Sequence, residues 1–143
     1  MSASLAFAPR RLGRSGLAIA AAFITNGALA LAIDQLFHLL GVYPPRGQPM
    51  PDTAPNALAL AYRLVLGVAA GWIVARLAPH APLRHAAILG TLATIVATAG
   101  AIVAITRFAL GPAWYPIALA VSAFPTVWAG AVLHERAGGR WPV

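Results

Sequence analysis

Four stretches of this chain, residues 17–42, 57–77, 85–106 and 114–133, are runs of apolar residues with almost no charge inside them. A helix crosses a bilayer with about 20 such residues, at ~1.5 Å of rise each. Every stretch reaches that length. The pattern predicts an all-α integral membrane protein, a four-helix transmembrane bundle running up-down-up-down, with residues 1–143 forming a single membrane domain. Composition points the same way. Hydrophobic residues make up 60% of the chain and charged residues 9%, with a mean hydropathy of +0.78, whereas soluble domains carry about 25% charged residues.

The punctuation between the runs is clear. Pro44, Pro45, Pro49, Pro51 and Pro55 crowd the first connection, Val42 to Asn56, and forbid a regular element there. Pro79-His80-Ala81-Pro82 makes a short turn, and Leu110-Gly111-Pro112-Ala113 makes the last loop. Residues 1–15 and 134–143 are expected to be tails, the second of them frayed. Arg10, Arg11 and Arg14 before an apolar run also describe a signal peptide, with Ala28-Leu29-Ala30 as a cleavage site. A signal's apolar region is shorter than the run seen here, which continues to Val42, so the segment is expected to stay as the first span.

The net charge of +7 comes from arginine alone, since the chain has no lysine. In a soluble protein it would suggest nucleic acid. Here the arginines flank the apolar runs with no basic stripe or interleaved aromatics, so no nucleic-acid partner is expected. Four spans put both termini on one side, which collects Arg10, Arg11, Arg14, Arg76, Arg84, Arg136 and Arg140 against Arg46 and Arg107 opposite. The positive-inside rule then places both ends in the cytoplasm, and Trp114 and Tyr115 at the external interface.

Asp34 is the one acid within a span, and His38 follows it one helical turn later. A carboxylate inside a bilayer is expensive without a partner. Counting residues puts Asp34 about 12 Å below the external surface and Arg63 about 9 Å below it on the next span, within an arginine's reach. Two readings stand side by side: an ion pair that pins the first hairpin, or a substrate or proton site. His38 could share a proton with Asp34, and Asn26 extends a loose polar track down the same span. Asp34, His38, Arg63, Arg107 and Tyr115 form the candidate polar cluster near the external face. Elsewhere, Gly67 and Gly71 are spaced for close helix packing, and the small face of Gly90, Thr91, Thr94, Ala97, Thr98 and Ala101 on the third span suits them. Pro125 falls mid-span and should kink it, freeing a carbonyl for Ser122, Thr126 or a neighbour.

The chain lacks cysteine, a nucleophile elbow, a phosphate loop and a paired-carboxylate arrangement. No catalytic residue, metal site or cofactor is expected, and the protein is not expected to be an enzyme. A faint internal echo links Ala59-Leu60-Ala61 and Ala70-Gly71 to Ala118-Leu119-Ala120 and Ala129-Gly130, which would imply two parallel hairpins. Tyr62-Arg63, Ala75-Arg76-Leu77-Ala78-Pro79, Pro82, His85-Ala86, Leu89-Gly90 and Gly111-Pro112-Ala113-Trp114-Tyr115-Pro116 together resemble a set of small, uncharacterised four-span bacterial membrane proteins. The resemblance covers residues 57–133 best; it implies a bacterial inner-membrane location and brings no activity. Two functions remain: a structural or accessory protein of a membrane assembly, and a small proton-linked transporter or channel. The expected partners are the lipid bilayer and either another membrane protein or further copies of this chain.

Overall fold

The computed structural model describes residues 8–138, with side chains described from Leu12 onward. Arg10, Arg11, Arg140 and the end of the expected frayed tail lie outside the described side chains. Four long helices follow one another: α1 (Ala8–Leu39), α2 (Thr53–Leu77), α3 (Pro82–Val103) and α4 (Trp114–Arg136). They pack as an up-down-up-down bundle with no strand among the described residues. Both chain ends therefore emerge at one end of the bundle. The two longer loops, 40–52 and 109–113, close the other. Leu31, Val65, Ile95 and Val121, one on each helix, turn large apolar side chains outward. Every helix is long and apolar enough to cross a membrane, and the chain is a multi-pass membrane protein.

Helix ends differ from the runs in ways local chemistry explains. The first apolar run continues to Val42, but α1 stops at Leu39. Gly41 takes the left-handed conformation (φ 72°), and the Val42 and Gly41 amides donate to the Phe37 and His38 carbonyls at 2.9 and 3.2 Å. These two bonds are a Schellman cap, which glycine forms without a Cβ penalty. At its start α1 reaches back to Ala8, so Arg14 rides on the helix and not on a preceding tail. The proline-rich loop ends before Asn56, because α2 begins at Thr53 and takes Pro55 into its first turn, where no intrahelical N–H bond is lost. A π segment, Ala104–Phe108, continues α3 and ends with the Ala109 amide donating to the Ala104 carbonyl at 2.8 Å. α4 runs on to Arg136, past the expected boundary at 133.

The closest helix pair is α2 with α4, not α2 with α3. Both run away from the loop end, so they pack in parallel. A Cβ on Gly71 would sit 1.9 Å from the Val127 carbonyl oxygen, and one on Gly130 would sit 1.9 Å from the Val68 carbonyl oxygen. The contact is reciprocal: a shift of 59 residues carries Gly71 onto Gly130 and Val68 onto Val127. The same shift carries Gly67 onto Thr126, and those two residues touch. The crossing thus has an approximate two-fold character, the register of the echo seen in the sequence. Gly67 and Gly71 therefore meet α4; the small face of α3 contributes Gly90, which packs against Phe124, also on α4. Backbones this close gain dispersion contacts and weak Cα–H···O bonds.

Pro125 stays inside a continuous α4. Thr126 Oγ1 donates to the Ser122 carbonyl at 2.8 Å, and Ser122 Oγ to the Leu119 carbonyl at 3.2 Å. Neither hydroxyl reaches the Val121 carbonyl, the group that loses its intrahelical donor to the proline.

The buried cluster is built from small residues: Ala18 and Ala22 of α1, Ala70, Val74 and Ala75 of α2, Ala86 and Leu89 of α3, Val127 and Ala131 of α4. All of these lie in the half of the bundle nearer the termini. Tight packing in that half leaves the loop half to other contacts.

Gly71→Ala and Gly130→Ala should each lower thermal stability in detergent by about 1–3 kcal/mol, because the added methyl meets backbone that cannot move alone. Gly100→Ala should be neutral or stabilising, as nothing lies within 4 Å of its added Cβ. Thermal unfolding of the three variants checks this.

Candidate functional site

Asp34, in the loop half of α1, is held by two consecutive residues of α2. Tyr62 donates its hydroxyl to one carboxylate oxygen and Arg63 donates Nη2 to the other. The Arg63 guanidinium also lies 5.8 Å from the Tyr62 ring centre, within range of a cation–π attraction. The carboxylate therefore has a charged and a neutral donor. That is the partnership an acid in a bilayer needs. It also ties α1 to the rest of the bundle at this end.

Above this pair the first loop folds back over the helices. His38 bonds through Nδ1 to the Pro44 carbonyl at 2.7 Å. A carbonyl only accepts, so Nδ1 carries the proton and, in the neutral ring, Nε2 is left as an acceptor. The proton sharing with Asp34 that their spacing allows is not formed; His38 anchors the loop instead. Tyr43 turns inward, 5% exposed, with its ring 5.2 Å from Phe37 and 5.5 Å from His38. Burial pushes its hydroxyl above the ordinary tyrosine range, so it remains protonated. Further along, Arg46 donates to Gln35 of α1.

Asn56 braces the first loop, and that loop bonds to the second. Its amide donates to the Met50 carbonyl at 2.8 Å and the Asp52 carbonyl at 2.7 Å, while the Met50 amide donates to the Leu110 carbonyl at 2.6 Å. Gly111 passes close against Met50, where an added Cβ would come within 3.2 Å of the Met50 carbonyl oxygen. Two loops far apart in sequence thus make one cap.

Between cap and helices lies a cavity of about 390 Å³, within the size range of small-molecule sites. Asp34, His38, Arg63 and Tyr115 line it. Arg107 does not. Ala104, Ile105 and Phe108 supply the cavity face of the π segment, and Arg107 falls on another side, exposed. Asn26 is likewise outside the cavity, its Oδ1 buried without a partner, so the polar track does not extend from it to the site. Tyr43, Arg46, Met50 and Asn56, none of them in the candidate cluster, also line the wall, with Tyr62 behind the carboxylate. Tyr62 could have been found as the neighbour of Arg63, about 100° round α2 from it. His80, His85 and His134 lie at the opposite end of the bundle.

With this geometry in view, comparison of the chain with family models, curated proteins and solved structures returns no match. Function must therefore be argued from the cavity itself.

Asn56→Ala should destabilise the protein by about 1–3 kcal/mol, since it removes a buried side chain and its two hydrogen bonds to the Met50 and Asp52 carbonyls. It should also make the Gln48–Pro51 segment newly sensitive to limited proteolysis, which mass mapping of the fragments reads directly.

Proposed function

We propose that this chain is a non-enzymatic multi-pass protein of a bacterial inner membrane, both termini cytoplasmic, that holds a small solute at its external end as part of a small transporter or channel. The supporting observation is the cavity. Asp34 and Arg63 pair with each other, yet each keeps about a quarter of its side-chain surface open, and both lie in the wall of a space large enough for a solute. A pair serving only as a pin gains from being dry, because water weakens the attraction. Orientation rests on the arginine bias, with Arg46 and Arg107 alone at the loop end.

A structural or accessory role is the second reading. It is favoured by the completeness of the Asp34 pairing and by the tight α2–α4 crossing, which blocks a path along that seam beyond the cavity. In that reading the loop end meets a membrane-protein partner or a second copy.

The absence of native cysteine makes both readings testable with single-cysteine variants in intact cells. Gln48→Cys should react with a membrane-impermeant maleimide added outside, and Ala137→Cys only after permeabilisation. Ala104→Cys, in the cavity wall, should react with a small charged thiosulfonate, while lipid-facing Val121→Cys stays inert. Reversed maleimide labelling would overturn the orientation. An inert Ala104→Cys beside a reactive Gln48→Cys would mean a dry cavity and favour the structural reading.

A further inference from the structure

The cavity's hydrogen-bonding capacity is unbalanced. Each oxygen of Asp34 already accepts a bond. The Asn56 amide gives both its protons to backbone carbonyls. His38 Nε2 and Asn56 Oδ1 stay free as acceptors, but the buried lining atoms without a partner are groups that donate. Arg63 Nε and the Tyr43 hydroxyl are buried without a well-aligned partner, the Tyr62 hydroxyl being the polar neighbour of the Tyr43 phenol, and both residues line the cavity. An arginine Nε can only donate, and the Tyr43 hydroxyl, kept protonated by burial, offers a proton as well. Buried donors without acceptors are uncommon and costly. An acceptor brought in from outside would relieve that cost.

Charge is unbalanced in the same sense. Arg63 and Arg46 line the cavity against the single carboxylate of Asp34, so the arginines outnumber the acid by one positive charge. The rest of the wall is apolar: Met50, Ile105, Phe108 and the prolines 44, 45, 112 and 116. A site of this kind fits a molecule with one anionic, acceptor-only group and a compact apolar body. A guanidinium suits carboxylate and phosphate heads alike, but the single surplus positive charge and the apolar wall match a monoanion better than a more highly charged phosphate.

Resting on the solute-site reading above, we propose that the cavity binds a monocarboxylate with an apolar body, its head on Arg63 and Tyr43 and its body against Met50, Ile105 and Phe108. The same chemistry has two sources, a free organic acid and a fatty acid drawn from the bilayer, and chain length separates them.

The test uses the purified full chain in a neutral detergent, with calorimetric titration of hexanoate, benzoate, dodecanoate, hexanol, hexylammonium and inorganic phosphate. Hexanoate and benzoate should bind, with hexanol, hexylammonium and phosphate at least tenfold weaker. A preference for dodecanoate identifies the bilayer source, and a preference for the short acids the free one; either supports the carboxylate site. Hexylammonium, hexanol or phosphate binding as tightly as hexanoate overturns it. Tyr43→Phe is the decisive variant. It removes a buried hydroxyl without a well-aligned partner, so its melting temperature should be equal to or above that of the parent, while hexanoate affinity falls about five- to tenfold. Unchanged affinity in that variant overturns the proposal. The two levels fail separately. If Ala104→Cys is water-accessible and hexanoate does not bind, the ligand class is wrong and the solute site stands. If Ala104→Cys is inert, the solute site falls with it.

Discussion

One carboxylate inside a membrane sets the terms for the loop half of this protein. Asp34 keeps only about a quarter of its side chain open to the cavity, too little hydration to hold its charge alone, so the fold supplies Arg63 and Tyr62 from a single turn of α2. Both donors come from adjacent residues, which fixes the depth and rotation of α1 against α2 together. α1 needs this tie. Its other described buried contacts, Ala18 and Ala22, lie near the opposite end, and most of its length faces outward. The ion pair and the alanine contacts hold the helix at two separated points.

The termini half is organised by a different constraint, the absence of side chains. Gly67, Gly71 and Gly130 let α2 and α4 cross in near backbone contact, and the alanines around them let α1 and α3 close in. No hydrophobic driving force separates one apolar surface from another in lipid, so closeness of approach is what small residues contribute there. The same chain then has bulkier and polar residues at the loop end, where the helices leave room. The cavity is the consequence of packing one half tightly and roofing the other with loops. His38, Asn56 and the Gly41 cap fix that roof with bonds to backbone.

What could be read in advance follows from which interactions are periodic and which are not. Spans, and the level meeting of Asp34 with Arg63, depend on hydropathy and a constant rise per residue, and both are visible in the sequence. The loop contacts depend on turn geometry. Nothing in the residue types announces that Gly41 caps α1 early enough to swing Tyr43 inward, or that Asn56 belongs to a helix and bonds back across a proline-rich loop. Adjacency in sequence points Gly67 and Gly71 to α3, whereas parallel α4 offers both a matching glycine and the reciprocal carbonyl. Lying on the external side does not by itself put Arg107 in the cluster. The cavity-lining face of the π segment is carried by Ala104, Ile105 and Phe108, and leaves the arginine outside.

The most direct test of this account is a double-mutant cycle on Asp34 and Arg63, read as thermal stability of the purified protein in detergent. Asp34→Asn and Arg63→Gln should each destabilise, by leaving the other charge unmatched in a poorly solvated site. The double variant should recover much of the loss, with a coupling of about 1 kcal/mol or more. Strictly additive effects would mean the two groups do not hold each other, and the arrangement of α1, the cap and the cavity would need another cause.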